Sequence, residues 1–100
     1  MKKLERDFQS ALIKELKSMF EGCIVTKLDS SHISGIPDLL ILWKNKWATL
    51  ECKRGKEELK NPRPLQEYYV GLMDQMSFSR FIYPENKEDV LHELEQSFKS

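Results

Sequence analysis

Two short runs rich in strand-forming residues, Leu39 to Trp43 and Trp47 to Lys53, are separated only by Lys44-Asn45-Lys46. So short a polar connection cannot carry a crossover, and the runs must pair as neighbouring antiparallel strands. This hairpin lies in the middle of the chain, so the segments on both sides have to pack around it. Side chains alternate along a strand, and the pairing therefore also decides which residues meet on each face.

Before the hairpin, Leu4, Phe8, Leu12, Leu16, Met19 and Phe20 recur at helical spacing and predict a helix over residues 3–20, closed by Gly22. Cys23 to Leu28, with Ile24, Val25 and Thr26, reads as a strand, and Asp29 to Pro37 as a loop. After the hairpin, residues 54–61 read as a charged loop. Asn61-Pro62 then predicts a helix start, with Asn as cap and Pro in the first helical position. Leu65, Tyr68, Tyr69, Leu72, Met73 and Met76 form an apolar stripe along that helix, read as core packing. Ser77 to Tyr83 is a fourth strand, apolar on both faces through Phe78, Ile82, Phe81 and Tyr83. A last helix over 87–98 follows, with Asn86 as its cap. The order is αβββαβα. A hairpin followed by a helical crossover predicts an α/β fold: a small mixed central sheet flanked by helices, with an extra helix at the C-terminal end.

A length of 100 residues allows one core, so residues 1–100 are read as a single domain. No apolar stretch approaches a bilayer span and the amino terminus lacks a secretory signal, so the expected location is the cytosol, with no membrane partner. Cys23 and Cys52 lack paired metal-site spacing and are read as reduced core residues. The formal net charge is zero, so any case for nucleic-acid binding has to be local.

The local case begins at Asp38, where the loop enters the second strand, and at Glu51, near the end of the third. The hairpin brings these carboxylates together, and Lys53 shares the face of Glu51. Converging carboxylates repel and raise each other's proton affinity unless a hard cation such as Mg²⁺ lies between them. A nearby lysine can then hold or activate a water. An isolated Glu-x-Lys would more simply be a solvated ion pair worth roughly 0 to 1 kcal/mol. Its conjunction with the tight Gly35-Ile36-Pro37-Asp38 entry and with the hairpin is much rarer than any one part.

Pro37-Asp38, Glu51-Cys52-Lys53 and the predicted αβββαβ order resemble the PD-(D/E)xK nuclease superfamily and its restriction-endonuclease-like core. Within it the chain looks most like the Holliday-junction-resolvase-like and virus-type replication-repair nucleases, over residues 5–83. The resemblance implies an Mg²⁺- or Mn²⁺-dependent deoxyribonuclease leaving 5′-phosphate and 3′-hydroxyl ends. Asp38, Glu51 and the Cys52 main-chain carbonyl would be metal ligands, with Glu5 on the first helix as a further one, and Lys53 would position the water. Gln66, near the start of the second helix, also fits the pattern. A stand-alone domain of this kind fits a bacterial or phage-infected cell.

Arg54, Lys56, Lys60 and Arg63 crowd the loop leaving the third strand and could neutralise phosphates, although Glu57 and Glu58 dilute the patch. Ser30, Ser31, His32 and Ser34 precede Gly35, and Ser31 and His32 are candidate backbone contacts; a plain loop histidine is the simpler reading of His32. By analogy with junction resolvases a homodimer is expected, with Trp43, Trp47, Phe78 and Phe81 available either to an interface or to the core. The competing reading is a non-catalytic nucleic-acid-binding or interaction module that retains the fold. The residues alone leave the shape of the substrate open.

Overall fold

The computed structural model describes residues 2–61 and 63–100. It runs α1 (Lys2–Met19), β1 (Ile24–Lys27), β2 (Leu39–Trp43), β3 (Lys46–Cys52), a short 3-10 helix (Lys56–Lys60), α2 (Pro64–Met76), β4 (Ser79–Ile82) and α3 (Lys87–Lys99). The expected order αβββαβα is observed, with the 3-10 turn added inside the predicted loop. The strands form one mixed sheet in the order β1-β2-β3-β4. β1–β2 and β2–β3 are antiparallel, and β3–β4 is parallel across the α2 crossover.

One face of the sheet carries the core. Leu39, Ile41, Ala48, Leu50, Cys52 and Ile82 pack with Leu12, Leu16 and Phe20 at one side and with Val90, Leu91, Leu94 and Phe98 of α3 at the other. Phe20, Trp43 and Phe98 close this core as an aromatic trio, with ring centroids 5.1 to 6.0 Å apart. Trp43 and Phe78 thus belong to the core, Trp43 from its edge. The side chain of Leu4 and the whole of Pro62 lie outside the described residues.

Three expectations need correction. α2 begins at Pro64, with Arg63 in its cap position at φ −77° and ψ 127° and without a side-chain cap bond. The residue before a proline is pushed out of the helical region, so Arg63 stands outside the helix and Pro64 takes the first helical position. The apolar stripe of α2 is core only in part: Tyr69, Leu72 and Met73 are half-buried beside the buried Val70, while Leu65, Tyr68 and Met76 are 50%, 58% and 63% exposed. The sheet face beneath α2 is partly polar. Gln66 and Met73, which share a face with Val70, turn toward it to meet Lys53 and Thr49. Finally, Asn86 stands at the start of α3 but does not cap it; its side chain accepts from the Tyr83 N–H and donates to the Phe81 carbonyl, bracing the preceding turn.

Truncating the core should therefore cost far more than truncating the stripe. Phe20→Ala is expected to lose about 3–5 kcal/mol in urea unfolding, and Met76→Ala to stay within about 0.5 kcal/mol of the parent.

Candidate active site

The register Leu39↔Leu50, continued by one residue, sets Asp38 opposite Glu51 on the sheet face away from the core. Continued once more, it sets Pro37 opposite Cys52. Proline has no N–H to give, so the ladder supplies no donor to the Cys52 carbonyl from that side. The Cys52 N–H instead donates to Asp38 Oδ2 at 2.9 Å, while the Asp38 carbonyl accepts from the Leu28 N–H at 2.9 Å. Asp38 is thereby fixed from both neighbouring strands.

Glu51 is 3% exposed, and its Oε1 is buried without a hydrogen-bond partner. An unpaired buried carboxylate oxygen is costly, so its presence beside a second carboxylate needs a reason. Burial first, and then the Asp38 charge, push the Glu51 carboxyl up to about 7, against the pull of Lys53. Burial also raises Asp38, partly offset by the Cys52 N–H and by Lys53 and Lys27. Burial, followed by the Asp38 charge, raises the Cys52 thiol to about 12. The thiol therefore stays neutral, and the main-chain carbonyl is the group Cys52 can offer.

The Lys53 ammonium donates to Gln66 Oε1 at 2.6 Å and stands 3.7 Å from Glu51 Oε2. Gln66 reaches it because α2 starts over this end of the sheet, and Gly35 allows that approach. Gly35 has φ +89°, and a Cβ placed there would lie 2.5 Å from Leu65 Cβ and 2.8 Å from its carbonyl carbon. Only glycine permits both the left-handed turn and the close contact between the loop and α2.

These groups line a cavity of about 930 Å³, with Glu5, Ser30, Ser34, Arg54, Glu58, Arg63 and Leu65 around them. Asp38, Glu51, Cys52, Lys53 and Gln66 are thus brought together as the sequence suggested. Glu5 reaches the cavity, yet among the described residues no group of three or more His, Cys, Asp or Glu side chains is placed to hold an ion. α1 packs against the opposite sheet face and reaches the cavity at its first turn, so Glu5 does not join the two carboxylates in a cluster. The fit for a divalent cation rests instead on Asp38, the orphaned Glu51 oxygen and the Cys52 carbonyl, a hard oxygen set.

Of the basic candidates, Arg54 and Arg63 line the cavity, whereas Lys56 and Lys60 do not. Arg54 is paired with Glu58, and Lys60 with Glu57. Ser31 folds back on Asp29 through its N–H and hydroxyl, at 2.9 and 2.6 Å, and neither it nor His32 lines the cavity. Ser30 and Ser34 do. The cue for Ser34 was its position beside Gly35, and the cue for Glu58 its i,i+4 spacing from Arg54. Among the described residues no helix is long and apolar enough to cross a membrane. Comparison with known proteins found no matching family model, no matching curated protein and no matching solved structure.

The raised Glu51 carboxyl has a measurable consequence. Its folded-state value of about 7 lies above the ordinary 4.5, so its contribution to stability is full below pH 4.5 and is lost as pH rises through 7. Without divalent ions, Glu51→Gln should exceed the parent in stability at pH 8 by an amount on the order of 2 kcal/mol, with the gap closing near pH 4. Added Mg²⁺ should raise the melting temperature of the parent at pH 8 more than that of the variant.

Proposed function

We propose that this chain is a metal-dependent nuclease of the PD-(D/E)xK kind that hydrolyses DNA phosphodiester bonds. The observation that carries the reading is the buried Glu51 Oε1 without a partner, on a residue that lines the same cavity as Asp38. Two clustered carboxylates, one incompletely satisfied, destabilise a metal-free fold. A bound cation would relieve both penalties. The sheet order and the α2 crossover support the same reading, since they are what a restriction-endonuclease-like core requires.

Asp38, Glu51 and the Cys52 carbonyl would hold Mg²⁺ or Mn²⁺, with Glu5 left to act at the cavity edge. When bound, the ion supplies Lewis-acid polarisation of the phosphoryl oxygen and lowers the proton affinity of a coordinated water. The chain's own residues do the rest. Lys53, tethered by Gln66 and drawn to Glu51, keeps a positive charge at the point where negative charge builds up as water adds to phosphorus and the bond to the 3′ oxygen breaks. Arg54, Arg63, Ser30 and Ser34 border the cavity where flanking phosphates would lie.

A second copy would present two such sites to a branched duplex. Support for a homodimer comes from Ile24 and Leu42, cross-strand partners on the sheet face α2 only partly covers, and exposed by 59% and 39%. Light scattering tests it.

With Mg²⁺ or Mn²⁺ and a panel of branched, flapped, single-stranded and duplex DNA, the parent should cut at least one form. Asp38→Ala, Glu51→Ala and Lys53→Ala should each lower the rate by at least about a hundredfold while keeping the native circular dichroism. Gln66→Ala, which only frees Lys53, should lose about 10- to 100-fold. Undiminished cutting by the first three variants would sink the assignment. A parent that binds DNA but cuts none of the panel would instead be a non-catalytic module.

A further inference from the structure

Glu58, one turn into the 3-10 segment after the candidate metal site, holds Arg54 in an unusual way. Its Oε1 accepts from the Arg54 backbone N–H at 2.8 Å, and its Oε2 accepts from Arg54 Nε at 3.0 Å. Two donors of one residue thus converge on one anion, taking both of its oxygens. A phosphate presents the same pair of oxygens to such a fork. Both residues line the cavity that holds Asp38, Glu51 and Lys53, and Arg54 directly follows Lys53 in sequence.

We infer that the N–H and guanidinium of Arg54 form a subsite for a phosphate of the substrate strand next to the scissile one, and that Glu58 is its built-in competitor. The inference rests on the nuclease reading and adds to it a residue that opposes substrate binding. The pair is suited to exchange, because the Arg54 and Glu58 side chains are 49% and 29% exposed and an ion pair so open to water is weak. When a phosphate displaces the carboxylate, Arg54 remains neutralised and Glu58 returns to solvent. The exchange removes the Glu58 negative charge from Arg54 in a cavity that Arg63 also lines. No ion pair among the described residues engages Arg63.

A neighbouring pair provides the control. Lys60 and Glu57 lie in the same segment, 2.9 Å apart, but are 70% and 74% exposed and do not line the cavity. Glu57→Gln and Glu58→Gln remove the same charge from the same segment. Only the second releases Arg54, and it keeps an amide oxygen for the Arg54 N–H, so the turn retains its brace.

The test is fluorescence anisotropy of a labelled DNA duplex and of its single strand, over a range of salt, in the 100-residue chain carrying Asp38→Asn to prevent cutting. Glu58→Gln should tighten binding by about five- to tenfold at low salt. It should also steepen the duplex log–log salt slope by about 0.9, the value for one more neutralised phosphate. Glu57→Gln should change affinity less than about twofold. Adding Arg54→Ala should erase the gain from Glu58→Gln. Equal effects of the two glutamine variants, or a gain that survives Arg54→Ala, would overturn the subsite while leaving the nuclease reading untouched. If the unsubstituted chain neither binds nor cuts DNA, both fall together.

Discussion

The Asp38 carboxylate accepts the Cys52 N–H at the point where the hairpin ladder runs out against Pro37. That contact ties the end of β2 to the end of β3 through a side chain, and it turns the carboxylate toward Glu51. A proline one position earlier makes it possible, because Pro37 withholds the donor that ordinary pairing would place on the Cys52 carbonyl. Asp38, Glu51 and that carbonyl share one corner of the sheet for this reason. Lys53 and Gln66 are then placed by continuing β3 and by starting α2 above it.

The two faces of the sheet carry different burdens. The face toward α1 and α3 is apolar, and the aromatic trio of Phe20, Trp43 and Phe98 packs at its edge. The other face holds Thr49, Ser79, Glu51 and Asp38. Thr49 Oγ1 bonds Ser79 Oγ at 2.8 Å, so this buried polar pair is satisfied whereas Glu51 Oε1 is not. The contrast matters, because the satisfied pair supports packing and the unsatisfied oxygen weakens it. A domain of this size can carry such a defect only when its other face is well packed. The site is thus supported from behind by an apolar core, and Cys52 joins the two, with its side chain in the core and its main chain at the site.

Much of this could be read in the residues themselves. The hairpin followed from its short polar connection, and the strand period then put Glu51 and Lys53 on one face opposite Asp38. The helices flanking the sheet followed from their spacing of apolar residues. The face of α2 did not. Its stripe from Leu65 to Met76 has the right period for core packing, but periodicity shows only that a face is apolar and not what lies beneath it. Here a partly polar strip of β3 lies beneath, and it takes Met73 from the stripe together with the polar Gln66. The start of α2 was also misplaced, because a proline at position 64 sets the helix boundary at Arg63 through the backbone restriction on the residue before it.

The sequence by itself determined the hairpin, its register face and the two carboxylates it pairs, because strand alternation and a short turn are local constraints that need no partner. Tertiary structure decided how the further candidate side chains stand to them. Gln66 reaches Lys53 only because Gly35 lets the loop close to within contact of Leu65. Glu5 is held apart from the carboxylates because α1 lies on the other face. Each of these depends on where separate elements are set against one another, and that is fixed by packing and close approach in three dimensions, not by any spacing along the chain.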